Sequence, residues 1–192
     1  MSGSGDRGFR IVASSESARV GFLGVTEETV EGPDGARHTR TVVRHPGAVV
    51  VVPVIDGLRA VLVRQFRAAV GGWLLEVPAG KRDVDGEPPE VTAARELLEE
   101  TGLRAGRIVP LAEFYNTPGF CDEYTYLFVA LDLEDAGGPR PVGAEEAAMT
   151  IEHVLLDQVE QLIATREIVD AKTIIGLLLA RAHVAAGRGP DA

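Results

Sequence analysis

Three glutamates lie close together in residues 96–100, in an arrangement that costs a helix stability. Glu96 and Glu100 are four residues apart, so in a helix their like charges are neighbours, and Glu99 lies beside both. They also fall near the carboxyl end, where the helix dipole disfavours each anion by about 0.3–1 kcal/mol. Local rules broken without local compensation indicate a functional site. A divalent cation would compensate, because carboxylate oxygens are typical ligands of Mg²⁺, Mn²⁺ or Ca²⁺.

The helix that would carry these side chains has recognisable ends. Pro88 and Pro89 fit a first turn but not a helix interior, and Gly102 is typical of the residue just past a helix, so we predict a helix over residues 88–101. Small and apolar residues recur every three or four positions and predict a packing face of Val91, Ala94, Leu97, Leu98 and Thr101. The charged residues are predicted to lie on the other side.

The stretch from Gly80 to Leu103 resembles the Nudix box, G-x5-E-x7-R-E-U-x-E-E-x-G-U, in which U is Ile, Leu or Val. Glu87 is followed by seven residues and then by Arg-Glu-Leu-Leu-Glu-Glu-Thr-Gly-Leu. Six residues, not five, separate Gly80 from Glu87, and the ADP-ribose pyrophosphatase branch often carries this extra residue. The resemblance implies an α/β fold over about residues 46–186, namely the α/β/α sandwich of that family with a mixed sheet.

The resemblance also implies a metal site. Glu96 and Glu100 match the strongest ligands of the family, with Glu99 close behind, and the backbone carbonyl of Ala79 is a further ligand in the same branch. Two or three Mg²⁺ ions, or Mn²⁺ in their place, are expected per site. Arg95 lies four residues before Glu99, and its five guanidinium donors suit it to hold glutamates in place, so we count Arg95 and Glu99 among the catalytic residues.

Hydrolysis of a diphosphate also needs a water molecule that is aligned and activated. In the resembling branch, a glutamate in a loop before the last strand often does this. Glu145 and Glu146 occupy that place, and we favour Glu146 because of its distance from Met149 and the strand that follows. The alternative is a water activated by the metal with little further help.

The substrate's phosphates need positive partners besides the metal. Arg64 and Arg67 are the candidates, and Arg67 matches a substrate arginine of the branch. Pro118 lies fifteen positions after Leu103, where a proline is the mark of ADP-ribose hydrolases within the family. The segment Pro118-Gly119-Phe120 is therefore predicted to bend over the terminal ribose, with a purely structural turn as the alternative.

Composition limits the class of protein. The chain has 192 residues, of which 45% are hydrophobic and 25% charged, as in an ordinary globular domain. A net charge of −10 argues against a protein that holds DNA or RNA through its phosphates. One cysteine excludes an internal disulfide framework, and no apolar run reaches 18 residues, so we expect no membrane segment and a cytoplasmic location.

Three segments are predicted along the chain. Residues 1–8 are a disordered lead, and residues 9–45 form a β-rich extension with strands over Ala18–Val30 and Ala36–His45. The extension is too small to bury its own core, so we predict a homodimer that uses it. Residues 46–192 form the Nudix domain. Its helices are expected over 156–166 and 170–186, and the second packs through Ile174, Ile175, Leu178 and Leu179. Its strands are expected over 47–55, 58–66, 73–80, 111–116, 123–133 and 149–155, with a turn at Asp56-Gly57 after the first.

The sequence as a whole predicts a Mg²⁺-dependent hydrolase that converts ADP-ribose to AMP and ribose 5-phosphate. The same hydrolysis of another nucleoside diphosphate sugar or of a dinucleotide is the nearest alternative, and Pro118 favours ADP-ribose. A module that binds ADP-ribose without cleaving it is an alternative of another class, which loss of the box glutamates would mark. None of them is lost here. An RNA-decapping enzyme is disfavoured by the acidic charge.

Overall fold

A computed structural model describes residues 8–139 and 147–187 of the chain. These residues fall into two compact units. The first contains residues 8–47 together with Tyr115–Tyr124, and the second contains Ala48–Phe114 and the described residues from Thr125 onward. The sequence predicted an N-terminal extension over residues 9–45 and a role for it in dimerisation. That role stays a prediction.

The first unit is built on a three-stranded antiparallel sheet in the order β1-β2-β3. Its strands are β1 (Arg10–Val20), β2 (Leu23–Glu31) and β3 (Arg37–Arg44). The single strand expected over Ala18–Val30 is wrong, because the chain reverses at Gly21, whose φ is 57°, and Val20 pairs with Leu23 across that turn. A left-handed φ of this kind suits glycine, which has no Cβ to clash.

Strand β1 is exposed along its whole length, and large apolar side chains at and near its ends face water. The exposed fractions are 64% for Phe9, 61% for Ile11, 72% for Val20 and 46% for Phe22. These side chains form two pairs at opposite ends of the 11-residue strand, separated by polar residues. They are the side chains that the predicted homodimer would bury.

The second unit is built on a seven-stranded mixed sheet. Five strands run in the order β10-β5-β4-β9-β8, with β6 paired to β5 and β7 paired to β4. Strands β4 and β9 are parallel, whereas β4 is antiparallel to β5 and to β7. The strands are β4 (Ala48–Ile55), β5 (Arg59–Arg67), β6 (Gly72–Glu76), β7 (Ala79–Lys81), β8 (Leu103–Tyr115), β9 (Tyr124–Asp135) and β10 (Thr150–Leu155).

Helices cover both faces of this sheet, which is why β4 is an unbroken apolar run. Alternate residues Val50, Val52 and Val54 face a core completed by α2 (Val159–Ala164) and α3 (Ala171–Gly187), whereas Val49 and Val51 pack with α1 (Pro89–Thr101). A short 3-10 turn, Leu156–Gln158, precedes α2. The predicted fold class, an α/β sandwich with a mixed sheet, is confirmed.

Three predicted elements differ from the structure. The strand expected over 73–80 is two strands, because Pro78 has no N–H for a ladder and the pairing changes from β5 to β4 at that point. The strand expected at 111–116 begins at Leu103, directly after α1. The end of the predicted C-terminal helix is close to that observed, but Leu179, expected in its core face, is 37% exposed, whereas Thr173, Gly176, Leu177 and Ala180 are buried.

Candidate active site

Helix α1 is fixed at both ends by the residues that the sequence singled out. Pro88 stands just before the first turn in an extended conformation, and Gly102 closes the helix with a φ of 72° while its N–H donates to the carbonyl of Leu98 at 2.9 Å. A side chain at Gly102 would overlap the backbone of Gly138. These constraints set where the last two turns, and their glutamates, stand against the sheet.

The packing face of α1 is rotated from the one predicted. Thr92, Ala93, Leu97 and Thr101 are buried, whereas Val91 is 50% exposed and Ala94 is also exposed, so the prediction for those two residues is wrong. The buried stripe follows the small side chains Thr92 and Ala93, which allow α1 to approach β4 closely. As a result Glu96 and Glu100 flank the packing face and are not opposite it.

Glu96 reaches back over β7. A methyl group added at Gly80 would overlap the carboxyl group of Glu96, so a larger residue at this position would displace that side chain. The side chain of Glu96 is 13% exposed. Burial raises the pKa of Glu96 to about 6; Arg95 opposes this rise, and the negative charges of Glu99 and Asp83 add to it.

Arg95 bonds three of the box glutamates at once. Its Nη1 donates to Glu96 Oε1 at 2.8 Å and to Glu99 Oε2 at 3.2 Å, and its Nη2 donates to Glu87 Oε2 at 3.4 Å. Glu87 Oε2 also accepts from the hydroxyl of Thr92 at 2.7 Å, and this hydrogen bond is the main cause that lowers the pKa of Glu87. The guanidinium therefore ties the loop before α1 to the helix's acidic face.

Glu100 points toward β7 and meets the backbone there. The N–H of Ala79 donates to Glu100 Oε2 at 3.2 Å. The structure thus brings together Ala79 and Glu100, two of the four groups named from the sequence as metal ligands. Arg95 gathers the other two, Glu96 and Glu99, on the same helix.

The donor set fits a hard divalent cation in chemistry, since it consists of carboxylate oxygens and a backbone carbonyl. Within residues 8–139 and 147–187, no group of three acidic, histidine or cysteine side chains is already converged as for a bound ion. The contacts explain this, because Arg95 holds Glu96 and Glu99 while a backbone N–H holds Glu100. The raised pKa of Glu96 marks a carboxyl group whose charge is only partly compensated.

Comparisons with known proteins assign this chain to a family. The model of the NUDIX domain matches residues 44–174. The ADP-ribose pyrophosphatase of Bacillus subtilis (strain 168) is 41% identical over 146 residues, which cover 76% of this chain and 78% of that protein. That of Mycobacterium tuberculosis (strain ATCC 25618 / H37Rv) is 38% identical over 170 residues, covering 88% and 82%.

The chain belongs to the Nudix family. The resemblance drawn from the box is confirmed, and so is the branch, by the names of these relatives. A solved structure titled "Crystal structure of ADP compounds hydrolase" has the same fold, with a TM-score of 0.81, 23% identity, and coverage of 94% of this chain and 96% of that one. Among the described residues, no helix is long and apolar enough to cross a membrane.

The two arginines predicted to bind substrate have different partners in this Nudix domain. Arg67 donates from Nε and Nη2 to the two carboxylate oxygens of Glu76, at 2.8 and 2.7 Å, and Glu76 is 1% exposed. Arg64 makes a similar paired contact with Glu152 on β10. They lie three residues apart in a paired strand, so their side chains leave opposite faces of β5. Their roles in substrate binding stay predictions.

The loop that carries Pro118, Gly119 and Phe120 belongs to the first unit. The N–H groups of Phe120 and Cys121 both donate to the carbonyl of Thr117, and the carbonyl of Phe120 accepts from Val43 N at 2.7 Å. The backbone of this loop is thereby tied to β3, while the Phe120 side chain is 57% exposed. Its proposed contact with ribose stays a prediction. Glu145 and Glu146 lie outside the described residues.

Three residues near the site were missed from the sequence. Glu76 is a buried carboxylate inside the apolar run Leu-Leu-Glu-Val, and its position in a strand was itself the signal. Asp170 and Thr173 begin α3, where the spacing Asp-x-x-Thr is a helix N-cap pattern. Asp170 Oδ2 accepts from Thr173 N at 2.9 Å, as that pattern predicts.

Proposed function

We propose that this chain hydrolyses the diphosphate bridge of ADP-ribose to AMP and ribose 5-phosphate in the presence of Mg²⁺ or Mn²⁺. The observation that carries the proposal is the set of box carboxylates, with Arg95 bonded to Glu96 and Glu99, and Ala79 bonded to Glu100. The relatives named ADP-ribose pyrophosphatase, at 38–41% identity, support ADP-ribose as the substrate.

The chain's own groups divide the work as follows. The cations, two or three in number, would be held by Glu96, Glu99, Glu100 and the carbonyl of Ala79. Arg95 keeps the glutamates in position. When bound, the cations neutralise diphosphate charge and act as Lewis acids. Glu146, or Glu145 beside it, accepts a proton from the water that attacks phosphorus. Water adds across one P–O bond, so that each product leaves with one phosphate.

Substrate binding is assigned to the residues that the sequence singled out for it. Arg67 offers Nη1, since its other two guanidinium nitrogens bond Glu76, and a guanidinium so fixed loses little freedom on meeting a phosphate. Arg64 is the second candidate. Pro118, Gly119 and Phe120 form the loop proposed to contact the terminal ribose. A homodimer through the β1–β3 sheet and a cytoplasmic location complete the proposal.

A substrate panel tests the reaction. Alkaline phosphatase releases phosphate from AMP and ribose 5-phosphate but not from the intact diphosphate, so coupled phosphate release reports cleavage. ADP-ribose, other nucleoside diphosphate sugars, dinucleotides and capped RNA are compared with Mg²⁺ and with EDTA. We expect the highest kcat/KM for ADP-ribose and no turnover in EDTA.

Two variants of the same helix sharpen the test. Glu100→Gln removes a proposed ligand and is expected to lower activity and raise the Mg²⁺ requirement, whereas Glu90→Gln changes an exposed glutamate of the first turn and is expected to do neither. Binding of ADP-ribose by calorimetry without cleavage would replace the proposal by the non-catalytic module. Preferred cleavage of another sugar nucleotide would keep the chemistry and change the substrate.

The proposed base is tested separately. Glu146→Gln is expected to lower kcat by about 10²–10⁴-fold, the usual contribution of general-base catalysis, with little change in metal affinity. Glu145→Gln is its matched control. The reverse outcome would assign the base to Glu145, and no effect of either change would leave water activation to the metal.

A further inference from the structure

Four consecutive residues, Glu76–Ala79, are each bonded by a different element of the second unit. This segment joins β6 to β7 and ends at the residue whose carbonyl is proposed as a metal ligand. The contacts are Arg67 of β5 to Glu76, Thr173 of α3 to Val77, Val51 of β4 to Pro78, and Glu100 of α1 to Ala79. The segment is therefore held from four sides over the length of one short strand.

The contact with Thr173 gives the backbone of Val77 a side-chain partner from α3. Val77 N donates to Thr173 Oγ1 at 3.0 Å, and that hydroxyl donates in turn to Asp170 Oδ2 at 2.8 Å. Val77 is 1% exposed and Thr173 is fully buried. A buried backbone N–H that lies past the last pair of β6 needs a partner, and only a side-chain oxygen supplies it here.

Asp170 fixes the direction of that hydroxyl. Its Oδ2 accepts both the N–H and the hydroxyl of Thr173, and its Oδ1 accepts from Lys172 Nζ at 2.7 Å. With its single proton committed to a carboxylate, the Thr173 oxygen can only accept from Val77. The chain of bonds runs in one sense, from the backbone of Val77 to the capped end of α3.

The same segment is electrostatically linked to the acidic helix. The pKa of Arg67 is raised first by its bond to Glu76, and the negative charges of Asp170 and Glu100 add to the effect. The Arg67 guanidinium is therefore attracted both by Asp170, which caps α3, and by Glu100, the proposed metal ligand. A shift of the segment would alter the charge balance around Glu100 as well as the backbone at Ala79.

We propose that Thr173, oriented by Asp170, is a positioning residue that sets the backbone of Val77–Ala79, where the Ala79 carbonyl would help Glu100 to hold a cation. The inference rests on the proposed function only for its metal site and not for its substrate. Groups that orient metal ligands without touching the ion typically change metal affinity or activity by about 10–100-fold when removed. Thr173 acts on such a ligand through the backbone, because the residue that it bonds, Val77, lies two residues before Ala79.

Mn²⁺ affinity tests the inference without turnover. The paramagnetic resonance signal of free Mn²⁺ is followed as protein is added, for the wild type and for three variants of the full chain. Thr173→Val keeps the side-chain shape and removes the oxygen, and Thr173→Ser keeps the oxygen. Val159→Ala opens the same core at a fully buried residue of α2 without changing a bond to the segment, and controls for lost stability.

We expect the Kd for Mn²⁺ to rise about tenfold or more in Thr173→Val and to stay within about twofold of the wild type in Thr173→Ser and Val159→Ala. The kcat for ADP-ribose at limiting metal should fall in the same variant while its KM changes little. Unchanged Mn²⁺ affinity in folded Thr173→Val would overturn the inference, and so would an equal loss in Val159→Ala. Mn²⁺ binding by a wild type that does not cleave ADP-ribose would instead overturn the proposed function alone.

Discussion

Replacing Arg67 by alanine separates a structural role from a substrate role. The sequence assigns Arg67 to substrate, and a residue that only contacts substrate changes KM and leaves stability alone. The structure adds a buried partner, because two of its nitrogens bond Glu76, whose side chain is 1% exposed. In Arg67→Ala that carboxylate keeps its burial and loses its compensating charge.

The size of the effect follows from burial. Breaking a buried ion pair from one side costs about 3–5 kcal/mol, because the remaining charge is left uncompensated. The Arg67 side chain is 39% exposed, so water can enter the space it leaves, and we expect a smaller loss of about 2–3 kcal/mol in the free energy of unfolding. For a domain of this length, that loss lowers Tm by roughly 4–12 °C.

Arg64→Ala is a matched control on the same strand. Its pair with Glu152 leaves both side chains more than a third exposed, at 38% and 36%, so its loss should cost less than about 1 kcal/mol. The double change Arg67→Met with Glu76→Leu removes both charges and should recover most of the stability. Urea unfolding and calorimetry measure all four proteins.

Equal Tm values for Arg67→Ala and Arg64→Ala would refute the reasoning, since the buried carboxylate would then depend no more on its partner than the exposed one does. A double variant no more stable than Arg67→Ala would refute it as well. The proposed substrate role is measured apart from this, as a raised KM for ADP-ribose at a temperature well below the Tm of the variant.

Three further predictions concern the site and its support. Gly80→Ala should displace Glu96 and weaken Mn²⁺ binding by at least about tenfold in the resonance titration, because the added methyl overlaps that carboxyl group; unchanged binding would show that β7 moves aside. Saturating Mg²⁺ should raise Tm, because a ligand at 100 times its Kd adds about 2.7 kcal/mol to the free energy of unfolding, and EDTA should reverse the gain. An unaltered Tm would argue against a cation site in the folded chain. Burial acts to raise the pKa of Asp170, but Lys172 and the Thr173 donors hold that pKa below its ordinary value. The stability that Asp170 contributes is therefore complete above about pH 4 and is lost as pH falls through the folded pKa. The difference in stability between the wild type and Asp170→Asn, measured by urea unfolding, should narrow below about pH 4.

The sequence predicted most of what local rules control. Two prolines and a glycine bounded α1 to within a residue, the apolar run predicted β4, and Asp56-Gly57 predicted the β4–β5 turn, where both residues have positive φ. These features depend on backbone sterics and on burial on both sheet faces, which are visible in residue types. The charged part of the Nudix box was recognisable for a similar reason, since the spacing of Arg95, Glu96, Glu99 and Glu100 follows one helix.

Features set by contacts between distant elements were not predictable in this way. The rotation of α1 depends on how closely Thr92 and Ala93 approach β4, and periodicity alone could not distinguish that stripe from the one through Val91 and Ala94. The pairing of Arg67 with Glu76 depends on a hairpin that brings together residues nine apart. A charged residue in a strand pattern signals a partner but does not say which one.

The acidic face of α1 raises the question of what balances its charge when no cation is bound. From the sequence, only a metal was evident as compensation for Glu96, Glu99 and Glu100. The structure shows two protein groups that do part of this work, the guanidinium of Arg95 and the N–H of Ala79. The protein itself therefore supplies part of the compensation that the acidic face needs.

That division has a consequence for how the site responds to metal. Because Arg95 bonds Glu96 and Glu99, a cation that took up those oxygens would compete with these hydrogen bonds, and only the difference between the two sets of contacts would appear as affinity. A backbone carbonyl has no counter-charge to give up. For that reason, a small displacement of Ala79 should cost more metal affinity than a displacement elsewhere in the proposed site. Glu100 bonds the N–H of Ala79, and Thr173 bonds the N–H of Val77, two residues before it.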